Sequence, residues 1–302
     1  VFTAGLSDHF RNRLTHTIEV AQIARTAAAV LELDEDLTEA LALAHDIGHP
    51  PFAHAGEEEL NRQMGRFAER FDHNLHALRI VEQFEQRYAR FPGLNLTFEV
   101  REGMVKHSRD IPAGEEAHLD EYLPELRPPL EAQLIDPADE IAYNTADLDD
   151  SFSAQFFRLE QAAESVPQYA EICQAVALRF PEAPARVRFQ EGLRRLIDLL
   201  VSGLIQGTRA AAQEAGVENV EQVRRFPRRL ARFSAAAQAT CVALKQFLHR
   251  QVYYSELLVE ERRRSAALIA ELFQFFLDHP DRLPPFYQQQ AAAQPLHHVV
   301  CD

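Results

Sequence analysis

The stretch Leu41–Glu57, LALAHDIGHPPFAHAGE, concentrates chemistry in a short space. His45, Asp46, His49, His54 and Glu57 occupy it, interrupted by Gly48, Pro50, Pro51 and Gly56. Imidazole nitrogens and carboxylate oxygens are ligands for a divalent ion and carriers of protons. His45 and Asp46 are adjacent, so on one regular helix they would point about 100° apart. Both can serve one ion only near a helix end, and the glycine and two prolines that follow supply that end.

The elements that must position these groups read as helices. Leu14, Ile18, Ala21, Ile23, Ala24, Ala27, Ala28 and Leu31 predict an apolar helix over Arg13–Leu33. LDEDLTEA predicts an acidic turn and a second helix over Thr38–Ile47. Further helices are expected over Asn74–Phe91, Leu96–His107 and Leu130–Leu148, where Pro137 kinks the helix or marks its first turn. Later ones are expected near Ala154–Ala163, Tyr169–Arg179, Arg188–Glu214, Ala231–Glu256 and Glu260–His279. Ser108–Pro129, rich in Pro, Gly and Glu, reads as a mobile loop. No alternating run of strand length stands out, so the chain reads as all-α. Residues 1–150 form the expected core and residues 151–302 an outer helical region, with a soft boundary.

Two of these helices carry further candidates. His16 lies among apolar neighbours and, taken alone, reads as an ordinary core histidine. Asp139, Tyr143 and Asp147 fall at i, i+4 and i+8, which keeps them on one helical face with a drift of ~40° per step. Taken singly, these acids read as solvated or capping groups. His54 and Glu57 are three apart, close enough for a carboxylate to hold and charge an imidazole on one turn. A first-turn acid at a helix N-terminus is the plainer reading of Glu57.

Bulk composition narrows the partners. Among 302 residues, Asp and Glu number 46 and Lys and Arg 31, for a net charge of -15. No global field draws such a chain to nucleic acid or anionic membrane. An anionic substrate needs a local basic pocket. Cys173, Cys241 and Cys301 lack CxxC spacing, which argues against a disulfide framework or a zinc-thiolate site and suits reduced thiols in the cytoplasm. No apolar run reaches the ~18 residues needed to span a bilayer. Val1 in place of Met, Phe2–Asp8 reading as the middle of a segment, and His297–Asp302 without a helix stop suggest that both ends are incomplete.

The arrangement R13-x-x-H16, H45-D46 and D139 resembles the HD superfamily of metal-dependent phosphohydrolases. The closer resemblance is to its deoxynucleoside triphosphate triphosphohydrolases, the dGTPase-like branch. Arg13–Glu19, Ala44–Glu57, Phe71–Asn74, Gly93–His107 and Asp136–Asp150 carry it, with fainter likeness in FLHRQVYY and LDHPDRLP. A bare His-Asp pair is weak; HDIGHPPFxHxGE followed by DEIAYNTADLDD is specific.

The resemblance implies an all-α HD fold with additional C-terminal helices and metal ligands His16, His45, Asp46 and Asp139. That nitrogen and oxygen set suits Mn²⁺ or Mg²⁺, with Fe²⁺, Ni²⁺ or Zn²⁺ as alternatives. It implies water attack on the α-phosphorus of a dNTP, releasing a deoxynucleoside and intact triphosphate. His54 would be the general acid and Glu57 its orienting partner. His49 and His73 match positions at the phosphate or reacting centre. Arg13 and Lys106 are candidate phosphate contacts. Tyr143 would lie against the sugar and Asp147 would bond the 3′-hydroxyl. His76 stands where relatives commonly carry Gln, which leaves the choice of base open.

Such proteins are often homo-oligomers, hexamers or tetramers, with allosteric nucleotide sites. Arg224–Arg232, Arg186–Arg195 and Arg262–Arg264 therefore admit two readings: solvated faces with inter-subunit salt bridges, or a site for an effector nucleotide or weakly held single-stranded DNA. Two other functions compete. One is another HD phosphohydrolase, a nucleoside 5′-monophosphatase or phosphodiesterase. The other is a catalytically silent nucleotide-binding regulator.

Overall fold

The computed structural model describes residues 12–114 and 117–302. The Phe2–Asp8 segment lies outside the described residues. The described elements are helical, with no strand among them. In chain order they are α1 (Arg13–Leu31), α2 (Glu35–Ala44), α3 (Ala53–Met64), α4 (His73–Arg79), α5 (Phe98–Lys106), α6 (Leu130–Gln133), α7 (Ile135–Ser153) and α8 (Leu159–Ser165). There follow α9 (Pro167–Arg179), α10 (Ala185–Ala215), α11 (Val220–Arg225), α12 (Ala235–Leu248), α13 (Glu256–Asp278), α14 (Pro285–Ala291) and α15 (Leu296–Cys301). No helix among the described residues is long and apolar enough to cross a membrane.

The chain divides into two compact units, residues 1–45 with 96–255 and residues 46–95 with 256–302. This differs from the expected boundary near Asp150, where α7 continues without a break.

In the first unit, Asn12 and Thr15 form a capping box that starts α1, and Asp34 accepts from Leu37 N to start α2. Ala24, Ala27 and Ala28 are fully buried on α1. Small side chains there let α1 lie close against α2 and α7. Pro137 stands in the first turn of α7, where its missing N–H costs no helical bond. Ser108–Pro129, expected as a mobile loop, has buried residues on either side of positions 115 and 116. Ile111, Leu119 and Tyr122 are fully buried in it, the last two within a two-turn 3-10 helix over Ala117–Tyr122.

The second unit differs more from its sequence reading. The expected helix over Asn74–Phe91 is only α4, followed by one wide turn over Ile80–Phe84 and a change to extended backbone at Glu85. α3, which the periodicity did not isolate, opens without a side-chain cap. Phe52 and Ala53 sit in the left-handed region at φ 66 and 48. Such backbone is costly for non-glycine residues and must be held by its surroundings. Leu60, Met64, Phe71, Ile269, Phe273 and Cys301 form the apolar core of this unit, packing α13 on α3.

Gly48 fixes the turn after the His-Asp pair. A Cβ there would lie 2.0 Å from the His73 carbonyl oxygen and 2.4 Å from Ala77 N. The backbone of α4 therefore passes directly against it. His76 seals the same contact by donating from Nδ1 to the Gly48 carbonyl at 2.9 Å. Burial lowers its pKa, which suits a neutral structural ring. Gly48→Ala should lower stability by about 1–3 kcal/mol, the scale of an overpacked core. A urea midpoint equal to that of the unchanged chain would contradict this close approach.

Candidate metal centre and proton-handling cluster

Three candidate ligands meet in the first unit. His16 comes from the first turn of α1, His45 from the residue that ends α2, and Asp139 from the second turn of α7. Asp139 Oδ1 lies 3.0 Å from His16 Nε2 and 3.8 Å from His45 Nε2. One ligand atom from each falls within 4.8 Å of the others. His45 is buried, and its Nδ1–H donates to the Ala42 carbonyl at 2.7 Å. That bond fixes the tautomer, so the Nε2 lone pair is directed toward Asp139. A nitrogen lone pair facing an ionised carboxylate fits a shared cation. Burial would raise the Asp139 carboxyl, but His16 and His45 beside it hold it well below the usual range. The group is ionised and ready to ligate, and two nitrogens with one oxygen form the donor set of a hydrolytic divalent ion.

α7 carries the other predicted residues in the same unit. Tyr143 is half-buried, with Lys245 Nζ of α12 5.8 Å from its ring centroid. Asp147 is buried, and the Tyr253 hydroxyl donates to its Oδ2. Burial raises both groups in pKa. Arg13 is exposed at the first residue of α1.

Lys106, a candidate phosphate contact, has internal partners. It is fully buried. Its ammonium donates to Glu102 Oε1 at 3.1 Å and to the carbonyls of Leu123 and Leu126 at 2.7 and 3.0 Å. Glu102 in turn accepts from both terminal nitrogens of Arg224. Lys106 is thus the internal anchor of the segment that follows α5.

In the second unit, Glu57 is the centre of an imidazole cluster. His73 Nδ1 donates to Glu57 Oε1 at 2.6 Å. His49 Nδ1 and His54 Nδ1 lie 3.7 and 3.8 Å from Glu57 Oε2. The short bond therefore goes to His73, while His54, the expected partner, is looser and 85% exposed. His49 stacks on His73 at 4.1 Å, and its Nε2 lies 3.4 Å from Asp46 Oδ1. Burial, outweighing the pull of Asp46, drives His49 down to about 4, so this ring is neutral at pH 7. Burial would raise Glu57, but His54 and His73 keep its carboxyl ionised.

Sequence reasoning missed several neighbours. His107 is buried with its ring centroid 6.0 Å from that of His45, edge on. Tyr253 and Lys245 reach Asp147 and Tyr143 from more than a hundred residues away. No spacing rule links such pairs. Some arginines of the clusters form ion pairs within the chain: Arg229 with Asp110, Arg232 with Glu214, Arg195 with Glu191, and Arg263 and Arg264 with Glu260.

Comparison with known proteins agrees with this geometry. Residues 13–144 match the HD domain, and residues 231–302 match a phosphohydrolase-associated domain. Proteins named deoxyguanosinetriphosphate triphosphohydrolase-like are similar over nearly the whole chain. That of Bordetella pertussis is 44% identical over 96% of this chain and 76% of its own length. That of Geobacter sulfurreducens is 41% identical over 100% and 78%. That of Ralstonia nicotianae is 43% identical over 97% and 75%.

Lys106→Met should lower stability by about 2 kcal/mol, because Glu102 and two carbonyls lose a buried cation. KM for a nucleotide should be unchanged in the folded fraction. A raised KM with an unchanged urea midpoint would restore Lys106 as a phosphate contact.

Proposed function

Because the chain belongs to the deoxyguanosinetriphosphate triphosphohydrolase-like family of HD-domain phosphohydrolases, we propose that it hydrolyses deoxynucleoside triphosphates to deoxynucleoside and triphosphate. One observation carries this reading. α7 presents Asp139 beside two imidazoles and, two helical turns further along, Asp147 bonded to Tyr253. Eight helical residues separate the two acids by about 12 Å. That spacing supports a phosphoryl end and a sugar end for one nucleotide.

His16, His45 and Asp139, with Asp46 as the next residue after His45, would hold a divalent ion, Mn²⁺ or Mg²⁺ first among the candidates. Such an ion supplies polarisation of the α-phosphate and a lowered pKa for water. The departing 5′ oxygen needs a proton, since an alkoxide leaves poorly. His54 is the proposed donor. It is exposed to an incoming substrate, and its Nδ1 stands 3.8 Å from the ionised Glu57. His73 holds Glu57 in place, and His49, kept neutral by burial, packs against His73 without adding a charge. Arg13 is proposed for the phosphates. Tyr143 is proposed against C2′ of the sugar and Asp147 at its 3′-hydroxyl, which would disfavour a ribose. Homo-oligomerisation and an effector nucleotide extend this reading.

Incubation of the chain with each dNTP, singly and mixed, under Mn²⁺ and Mg²⁺ tests the reaction. Released triphosphate, resolved by phosphorus NMR, is the expected product. Pyrophosphate or inorganic phosphate would overturn the proposal in favour of another HD phosphohydrolase, and tight binding without turnover would favour a silent regulator. In the same assay His54→Ala should slow turnover by ~10²–10⁴-fold while nucleotide and metal binding persist. Near-normal turnover would remove His54 from the reaction.

A further inference from the structure

A second cluster of ligands lies within the second unit, on residues that the proposed reaction does not use. His297 and His298 are consecutive in α15, and Glu69 follows the turn that ends α3. Glu69 Oε1 lies 3.3 Å from His297 Nε2, and Glu69 Oε2 pairs with His298 Nε2. One ligand atom from each residue falls within 4.8 Å of the others. We propose that His297, His298 and Glu69 form a second divalent-metal site, for a borderline ion of the Zn²⁺, Co²⁺ or Ni²⁺ type, which fastens α15 to the end of α3.

The backbone and packing hold these groups in place. Ala68 adopts the left-handed conformation at φ 60, and the next amide, Glu69 N, donates to the Met64 carbonyl at 3.2 Å. This closes α3 and sets the direction in which Glu69 leaves it. His297 is stacked flat on Phe67, with centroids 4.0 Å apart and planes 5° apart. That contact fixes the ring, as supporting contacts do around metal ligands. Adjacent residues on a helix ordinarily diverge by about 100°. Here both rings turn their Nε2 atoms to one carboxylate, with centroids 4.6 Å apart.

The chemistry favours a metal over a pair of salt bridges. His297 Nε2 is buried and makes no hydrogen bond among the described residues. Two imidazolium rings this close would repel each other around a single negative charge. Nε2 of each ring and a Glu69 oxygen instead lie within 4.8 Å of one another, a separation that one shared cation spans. With one carboxylate and no second acid of the kind Asp46 would add beside His45, this nitrogen-rich set favours borderline transition ions over Mg²⁺ or Ca²⁺. Three protein ligands leave open positions for water.

The test is a count of bound zinc by equilibrium dialysis and elemental analysis. The unchanged chain should bind one more Zn²⁺ per chain than Glu69→Gln or His298→Asn, and these variants should keep their dNTP hydrolysis in Mg²⁺. A complementary measurement needs no variant. Zn²⁺, but not Mg²⁺, should protect His297 and His298 from diethylpyrocarbonate, mapped by peptide mass. Equal zinc stoichiometry in all three chains, or carbethoxylation of both rings unaffected by Zn²⁺, would overturn the site.

Discussion

The Asp139 carboxylate held between two imidazoles is the contact on which the first unit depends. It needs α1, α2 and α7 to meet at one level, with His16, His45 and Asp139 facing inward. The fully buried alanines of α1 permit that approach, because larger side chains would push the helices apart. The Ala42 carbonyl does the finer work. By taking the Nδ1 proton of His45 it commits Nε2 to the carboxylate side. A half-buried carboxylate flanked by two imidazoles suits a divalent cation, so the arrangement makes physical sense as a binding site rather than as packing.

The second unit solves a different problem: how to keep one carboxylate charged and several histidines close together. Glu57 is half-buried, yet surrounding imidazoles keep it ionised. His49 is driven neutral and can stack on His73 without charge repulsion. His54 remains at the surface. These three histidines occupy different protonic environments although they share one acid. Gly48 makes the cluster buildable, since only a residue without Cβ lets the start of α4 come so near the turn.

Much of this was legible in the sequence where a local rule applies. The apolar periodicity gives α1, and i, i+4, i+8 spacing puts Asp139, Tyr143 and Asp147 on one face, whereas α2 starts at Glu35 on the Asp34 cap, three residues before the expected Thr38. What could not be read depends on contacts between distant segments. α3 begins on two strained left-handed residues rather than on a capping side chain, so no start signal marks it. Ser108–Pro129 has the composition of a loop, yet Tyr122 and Ile111 pin it in the core. Lys106 was a candidate phosphate contact through the family resemblance; its burial depends on Glu102, which it shares with Arg224 from far along the chain. Glu57 is near His54 in sequence, but its short bond goes to His73, sixteen residues away.

The central claim is that His16 and His45 present their Nε2 atoms to one ion beside Asp139. X-ray absorption at the manganese edge, on the chain loaded with a single Mn²⁺, reads that arrangement directly through imidazole multiple scattering. The account expects two imidazole nitrogens in the ligand shell, reduced to one in His16→Ala. A shell made only of oxygens, or one unaltered by loss of His16, would contradict it.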